Sequence, residues 1–369
     1  MNIKKYIMDK SKELNIDMIR FTDSSPLVDI KDFIMERKNL GYSTEFEEKD
    51  IERRINPKII LPDCKSIIAI ALSYNIKYNE NLNTDLKGKL SRCSWGLDYH
   101  KVLNNKMKKL IEEMEKKVKF NYSYFADTGP LVDREIAKKS GLGYYGKNCT
   151  IINEKFGSFI FLGYILTDLD IEEDGIIEGY NCGECNLCLK ACPTGALEAP
   201  YRLNPKKCIS YLTQTKGDIP YEQRKKMGIN VYGCDVCQLV CPKNKYAEES
   251  SNKEFLPLRT KGYIDIKELF KISNREFKNE YGNMAGSWVG RNTLRRNAII
   301  ALGNMKKGEN VSFLKELLSL NNIDFNLRKY IYWSLLNIDK KLGKEIIGDG
   351  IKDRIDIDEI EKLLRYFKI

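Results

Sequence analysis

The chain has 369 residues, enough for two or three domains that each bury a core. Its 62 basic and 52 acidic residues give a formal net charge of +10, which fits a polyanionic partner and equally fits lysine-rich solubility. The longest apolar runs, "SIIAIAL" and "FIFLGYIL", are strand-sized and the N-terminus lacks the apolar core of a signal peptide, so a cytoplasmic protein without membrane association is expected.

In chain order, "MNIKKYIMDKSKELNIDMIRF" reads as a charged amphipathic helix running into a short strand. "SIIAIALSYN" (66–75) is β-rich. "HKVLNNKMKKLIEEMEKKV" (100–118) sets Val102, Leu103, Met107, Leu110, Ile111, Met114 and Val118 on one helix face. "NYSYFAD" then predicts a strand, "DREIAKKSG" a helix ending on Gly141, and "GSFIFLGYILTD" another strand. This alternation predicts a mixed α/β domain over residues 1–175, with helices covering a sheet.

Two motifs in this domain are decoys. "GLGYYGKN" (141–148) fits G-x-G-x-x-G, but such loops cradle phosphate only after a strand and before a helix, and here a helix precedes and a strand follows. "DYH" (98–100) opens like a D-x-H-x-x-G cobalamin motif, yet position 103 is Leu. His100, the only histidine, reads as a structural or surface residue at a helix start, and its solitude excludes His-based triads. The catalytic candidates are therefore carboxylates. In "FADTGPLVDRE" (125–135), which joins a strand to a helix, Asp133 is the choice; the plainer reading is a carboxylate capping the helix or stabilised by its dipole.

Eight of the eleven cysteines fall between 182 and 241. Reduced thiols in that number are better read as metal ligands than as disulfides. Cys182, Cys185, Cys188 and Cys192-Pro193 match the run C-x2-C-x2-C-x3-C-P, and Cys234, Cys237 and Cys241-Pro242 repeat its last three members, with Cys208 standing in for the first. The cysteine before proline serves the other cluster in such pairs. Cys182, Cys185, Cys188 and Cys241 are thus assigned to one [4Fe–4S] cluster, and Cys192, Cys208, Cys234 and Cys237 to the second. Structural zinc would use the same ligands but needs no paired C-x2-C-x3-C-P endings. A ferredoxin-like domain over 176–250 follows, and Cys64, Cys93 and Cys149 default to small buried residues.

Residues 251–369 change character. "TLRRNAIIALGNMK" (293–306) and "DFNLRKYIYWSLLNID" (324–339) superimpose at a 33-residue offset, Leu294 on Leu327, Ala298 on Ile331 and Leu302 on Leu335, as stacked HEAT-like helix pairs would. From Gly286 to Lys307 there are five basic residues and no acidic one. That stretch is a solvated face or a phosphate-backbone site with Trp288 as a stacking platform. The overall expectation is an α+β multidomain protein.

Together, "LSRCSWGLDYHKVL", "FADTGPLVDREIAKKSGLGYYGKN", the cysteine block, "CISYLTQTKGDIP" and "YGCDVCQLVCP" resemble the epoxyqueuosine reductase family over nearly the whole chain. The resemblance implies reduction of epoxyqueuosine to queuosine in tRNA with a queuosine-type anticodon, using cobalamin and two [4Fe–4S] clusters. It makes the 1–175 domain the cobalamin-binding one and Asp133 the proton donor. Arg54, Cys93, Asp133, Gly157, Asp168 and Ser210 match cobalamin contacts, with Arg53 adjoining Arg54. Lys216, Gly217, Trp288, Arg291, Arg295 and Arg296 become the tRNA-side candidates on a monomer whose electron donor is unidentified. The alternatives are a corrinoid and iron–sulfur reductase of another substrate, of reductive-dehalogenase type, or a pure electron-transfer protein.

Overall fold

The computed structural model describes residues 2–78, 86–320, 323–350 and 357–368. The chain divides into two compact units, each built from three stretches: 1–77, 96–206 and 235–256 form an α/β unit, and 78–95, 207–234 and 257–369 a helical unit. Among the described residues no helix is long and apolar enough to cross a membrane.

The α/β unit begins with α1 (Ile3–Glu13), β1 (Met18–Asp23), α2 (Lys31–Asn39), α3 (Ile51–Ile55) and β2 (Ser66–Ser73). After β3 (Lys87–Leu90), which belongs to the helical unit, it resumes with α4 (Tyr99–Glu115), β4 (Tyr122–Ala126), α5 (Asp133–Lys139), β5 (Tyr144–Tyr145), β6 (Ile151–Ile152) and β7 (Ile160–Thr167). A four-stranded sheet runs β1-β2-β7-β4 with each neighbouring pair antiparallel.

Every residue of β2 is buried, which explains its unbroken apolar run: both faces are covered. Ile67, Ala69 and Ala71 share a core with Ile136 and Ala137 of α5 and with Tyr164 and Leu166 of β7. Alternation sends Ile68, Ile70 and Leu72 to the other face. There Gly163, opposite Ile70, leaves room for Met107 of α4, whose Sδ lies 3.3 Å from where a Cβ would be. The Asp98 side chain caps α4 by accepting the His100 N–H, and six of the seven apolar positions expected on its inner face are buried; Val118 lies past its end.

The following chain gives α6 (Leu187–Ala191), β8 (Leu197–Ala199) and β9 (Arg202–Leu203) in the α/β unit. It then gives α7 (Ile209–Leu212), α8 (Tyr221–Lys226) and β10 (Asn230–Tyr232) in the helical unit, and α9 (Val236–Leu239) back in the first. The remainder, all in the helical unit, comprises β11 (Tyr263–Asp265), α10 (Ile266–Lys271), α11 (Asn274–Tyr281), α12 (Arg291–Met305), α13 (Glu309–Ser319), α14 (Phe325–Ile338), α15 (Lys340–Gly350) and α16 (Ile357–Phe367). A small sheet, β10-β3-β11, completes it.

This partition differs from the consecutive segments 1–175, 176–250 and 251–369, and the reason is side-chain chemistry on α12. Asn297 donates to the carbonyls of Thr213 and Val231, Asn304 to those of Arg224 and Gly228, and Arg296 to those of Leu212, Thr215 and Gly217. Ile209, Leu212, Ile219, Met227 and Val231 add their side chains to the same core as Leu294, Ala298 and Leu302. Residues 207–234 are therefore folded onto α12. The 33-residue offset also has a structural counterpart: Leu327, Ile331 and Leu335 of α14 are buried like their α12 equivalents, and Ser334 Oγ donates to Ile299 O at 2.8 Å.

Candidate active site

The segment between β4 and α5 is held at four points. Asp127, directly after β4, has φ of 60°, a left-handed conformation that Asp tolerates better than most residues. At Gly129 a Cβ would strike the Tyr164 hydroxyl and the Phe125 side chain, so the loop lies flat on the sheet. The Leu131 N–H donates to Tyr164 Oη at 3.3 Å and the Val132 N–H to Arg54 O at 3.2 Å.

These pins set Asp133 as the first residue of α5, but not as a cap. The N-cap is Val132, without a side-chain bond, and Asp133 Oδ1 is buried with no hydrogen-bond partner although the residue as a whole is partly exposed. Burial and then the Asp127 carboxylate push the Asp133 carboxyl well above its ordinary range, with Arg134 acting weakly the other way. A carboxyl so raised holds its proton to higher pH than a free aspartate and can give it to a leaving oxygen. The helix dipole would have favoured the charged form, so the plain first-turn reading does not describe this side chain.

Beside it stands a charged cluster. His100 Nδ1 lies 2.7 Å from Asp98 Oδ1 and Nε2 3.5 Å from Asp127 Oδ2, while Tyr99 Oη donates to Asp127 Oδ2 at 2.6 Å. Burial pulls the imidazole down, but the Asp127 and Asp98 carboxylates outweigh it and hold His100 at about 9. Partial desolvation would raise Asp127, whose side chain is 62% exposed, but its bonds from His100 and Tyr99 prevail and lower it. The Tyr99 ring stacks on His100 at 4.0 Å and on Phe161 at 4.1 Å. His100 thus sits in a network with Asp98, Tyr99 and Asp127, partners that the sequence reading did not name. The signal was available, since "DYH" and "FAD" each sit at an element boundary.

The other cobalamin candidates of this unit are spread out. Arg54 faces inward, its Nη1 donating to Glu47 at 3.0 Å, whereas Arg53 is exposed and pairs with Glu48. Gly157, with φ of 64°, leaves no space for a Cβ against Asn244. Asp168 stands past the opposite end of β7 and accepts the Asn121 N–H at 2.9 Å. In the helical unit, Cys93 Sγ lies 3.3 Å from Ser91 Oγ, and Ser210 Oγ accepts from Gln214 Nε2 at 3.1 Å. Cys93 and Cys149 are partly exposed, in contrast to the buried default; Cys64 is buried as expected.

Cys182, Cys185, Cys188 and Cys241 line one cavity of about 360 Å³, open solvent included, together with Lys147, Asn148, Ile152, Leu187, Pro242 and Lys243. Cys241, distant in sequence from the other three, thus shares a wall with them. The Lys147 N–H donates to Cys182 Sγ at 3.4 Å, and its Nζ clasps the ligand loop at Gly183 O (2.6 Å) and Asn186 Oδ1 (3.2 Å). So the "GLGYYGKN" lysine serves the thiols and not a phosphate, a role the sequence reading did not foresee. Burial and neighbouring thiols push Cys188 and Cys241 up, so without a cation these thiols hold their protons to higher pH than a free cysteine. Among the described residues no three His, Cys, Asp or Glu side chains draw close enough to share one metal ion; a cube, with one iron per thiolate, asks for a spread ring. Of the second expected set, Cys192 and Cys237 belong to the α/β unit and Cys208 and Cys234 to the helical unit. Burial would raise Cys192, but the N–H groups of residues 194, 196 and 197 and the Thr194 hydroxyl lower it, as suits a ligand thiolate.

The basic tail sorts into two kinds of residue. Lys216 and Gly217 are exposed, and Trp288 is 52% exposed with its Nε1 donating to Tyr232 Oη at 3.2 Å. Arg295 donates to Leu269 O at 3.0 Å and Phe270 O at 2.7 Å, and Arg291 to Ile272 O, so both partly buried side chains close the end of α10. Arg296 departs from its expected place on the surface: it is 5% exposed and its guanidinium is consumed by the carbonyls of the 212–217 loop. It supports the loop bearing Lys216 and does not itself face a phosphate.

The family model for a 4Fe-4S double cluster binding domain matches residues 181–244, and the one described as Epoxyqueuosine reductase QueG, DUF1730, matches residues 54–128. The chain is 41% identical over 375 residues to the epoxyqueuosine reductase of Bacillus subtilis, covering 99% of this chain and 96% of that one. To the Bacillus cereus enzyme it is 39% identical over 368 residues, with coverage of 98% and 95%. The fold superimposes with a TM-score of 0.93 and 38% identity on an epoxyqueuosine reductase crystallised with an epoxyqueuosine-modified tRNA-Tyr stem loop, covering 100% of this chain and 99% of that one. A second similar structure, from Bacillus subtilis, has its catalytic Asp loop swung out of the active site (TM-score 0.91, 37% identity, 98% of each chain).

Proposed function

The chain belongs to the epoxyqueuosine reductase family, and on that footing we propose which residues carry the reduction of epoxyqueuosine to queuosine at the wobble position of tRNA. The reaction opens the epoxide to an alkene, consuming two electrons and two protons and releasing the oxygen as water. When bound, two [4Fe–4S] clusters and cobalamin supply the single-electron relay and the electron-rich cobalt for this step.

The protein's own part is proton delivery and positioning. Asp133 gives its proton to the departing oxygen, and its unpartnered Oδ1 is the single observation that carries this reading. Donation leaves a carboxylate beside Asp127, an unfavourable like-charge pair that favours reprotonation before the second transfer. Cys182, Cys185, Cys188 and Cys241 would hold one cluster, and Cys192, Cys208, Cys234 and Cys237 the other. Arg54, Cys93, Asp133, Gly157, Asp168 and Ser210 would hold cobalamin. Gly157 and Asp168 flank β7 at its two ends, so they would meet a long ligand at separate points.

The tRNA anticodon stem would rest on a short HEAT-type array, its phosphates reached by Lys216 and by the α12 N-terminal arginines, with Trp288 offering a stacking face. Arg296 acts there only through the loop it holds.

The test is anaerobic turnover of reconstituted protein on tRNA carrying epoxyqueuosine, read by mass spectrometry of the nucleosides. Loss of one oxygen that requires cobalamin and fails in Asp133→Asn is expected. Undiminished conversion by Asp133→Asn would overturn the donor assignment.

A further inference from the structure

Between β5 and β6, the "GKN" end of the "GLGYYGKN" stretch carries a side chain that the reaction as described does not use. Asn148 is 5% exposed and lines the cavity shared by Cys182, Cys185, Cys188 and Cys241. Its Nδ2 is buried with no hydrogen-bond partner among the described residues. A buried amide donor left unpaired is costly, so native structures almost always give it an acceptor.

The turn fixes which way that amide points. The Gly146 N–H donates to Thr150 O at 2.8 Å and the Cys149 N–H to Gly146 O at 2.9 Å. Within this frame Asn148 Oδ1 accepts the Thr150 N–H at 3.2 Å and the Thr150 hydroxyl at 2.8 Å. A main-chain N–H only donates, so the carboxamide oxygen must face Thr150 and Nδ2 must face away from it. Gly146 makes room for this pose, since a Cβ there would come within 2.6 Å of both Asn148 Oδ1 and Ile152 Cδ1.

The cavity offers that amide one kind of side-chain acceptor. Ile152, Leu187 and Pro242 are apolar and Lys147 and Lys243 are cations, which leaves the sulfurs of the four cysteines. One sulfur is already bonded in this way, Cys182 Sγ by the Lys147 N–H at 3.4 Å. We propose, resting on the assignment of these four cysteines to one [4Fe–4S] cluster, that the Asn148 amide donates a hydrogen bond to a sulfur of that cluster and so raises its reduction potential. Taking up one electron adds negative charge to the sulfurs with no bond made or broken. A donor fixed in place holds the more negative state more tightly, and hydrogen bonds to sulfur are among the quantities that set such potentials.

The test is Asn148→Ser. A serine hydroxyl still accepts the Thr150 N–H in a turn of this kind, but the amide donor is gone. Reconstituted protein is titrated electrochemically under paramagnetic resonance, and this cluster is identified as the spectrum missing in Cys182→Ala. Its midpoint should fall by about 59 mV, tenfold in the one-electron equilibrium, with the other midpoint and the iron count unchanged. Thr150→Ala, which loosens the turn and keeps the amide, should leave both midpoints in place. An unmoved midpoint in Asn148→Ser at full iron content would make Asn148 a turn former whose amide is paired with buried water, and overturn the proposal. If Asn148→Ser holds no iron, pulsed resonance on the reduced parent with isotopically labelled asparagine amides decides: a nitrogen coupling to this cluster supports the contact, and its absence overturns it. If the shift falls on the spectrum that survives Cys182→Ala, the donor stands and the ligand assignment falls.

Discussion

The amide of Val132 donates to the carbonyl of Arg54 at 3.2 Å, tying the residue before Asp133 to the end of α3, some eighty positions earlier in the chain. Together with the Leu131–Tyr164 bond, it makes the placement of Asp133 a product of long-range contacts.

Asp133→Asn should lower turnover by ~100-fold or more, the usual worth of a positioned acid, while tRNA affinity stays within error by filter binding. The same variant should gain stability with pH. A carboxyl whose folded pKa is raised contributes stability fully present below its unfolded value and lost as pH rises toward its raised folded value. Asn has no charge to bury, so its melting temperature should exceed the parent's increasingly above the ordinary carboxylate range.

His100→Gln should show the dependence expected of a raised imidazole. The His100 contribution is complete below about 6.5 and fades as pH rises through about 9. Because its Asp127 partner is solvent-exposed, the loss should be ~0.5–1 kcal/mol, seen at pH 6 in urea melts and absent near pH 10.

Cys182→Ala and Cys241→Ala should each remove the same cluster, leaving about half of the iron, despite the 58 residues between them. Iron analysis with low-temperature paramagnetic resonance of the reduced proteins checks this; different residual spectra would place the two thiols on different clusters. Lys147→Ala should leave the iron count intact and make the exposed cluster easier to strip by chelator, since it removes the clasp on Gly183 and Asn186.

Lys216→Ala and Arg296→Ala should separate contact from support. The first should weaken tRNA binding and reduce the salt slope by about 1, with the melting temperature unchanged. The second should cost ~2–4 kcal/mol of stability, because it strands buried carbonyls at Leu212, Thr215 and Gly217.

Much of this architecture was legible in the sequence because it is local. The apolar period of 100–114 made α4, the unbroken run at 66–72 made a strand covered on both faces, and the spacing of Cys182, Cys185 and Cys188 puts three thiols of one short loop on one cavity. Their geometry is set by neighbours a few residues away.

What only the tertiary structure decided is where distant groups meet and what charge they then carry. Spacing could not say that residues 207–234 fold onto α12, that Arg296 spends its donors on main-chain carbonyls, or that Lys147 clasps a cysteine loop. It could not say that His100 lies between the carboxylates of Asp98 and Asp127. A carboxyl's proton affinity depends on burial and on charges within a few ångströms. Those distances exist only once β4, α4 and α5 have packed on the same sheet.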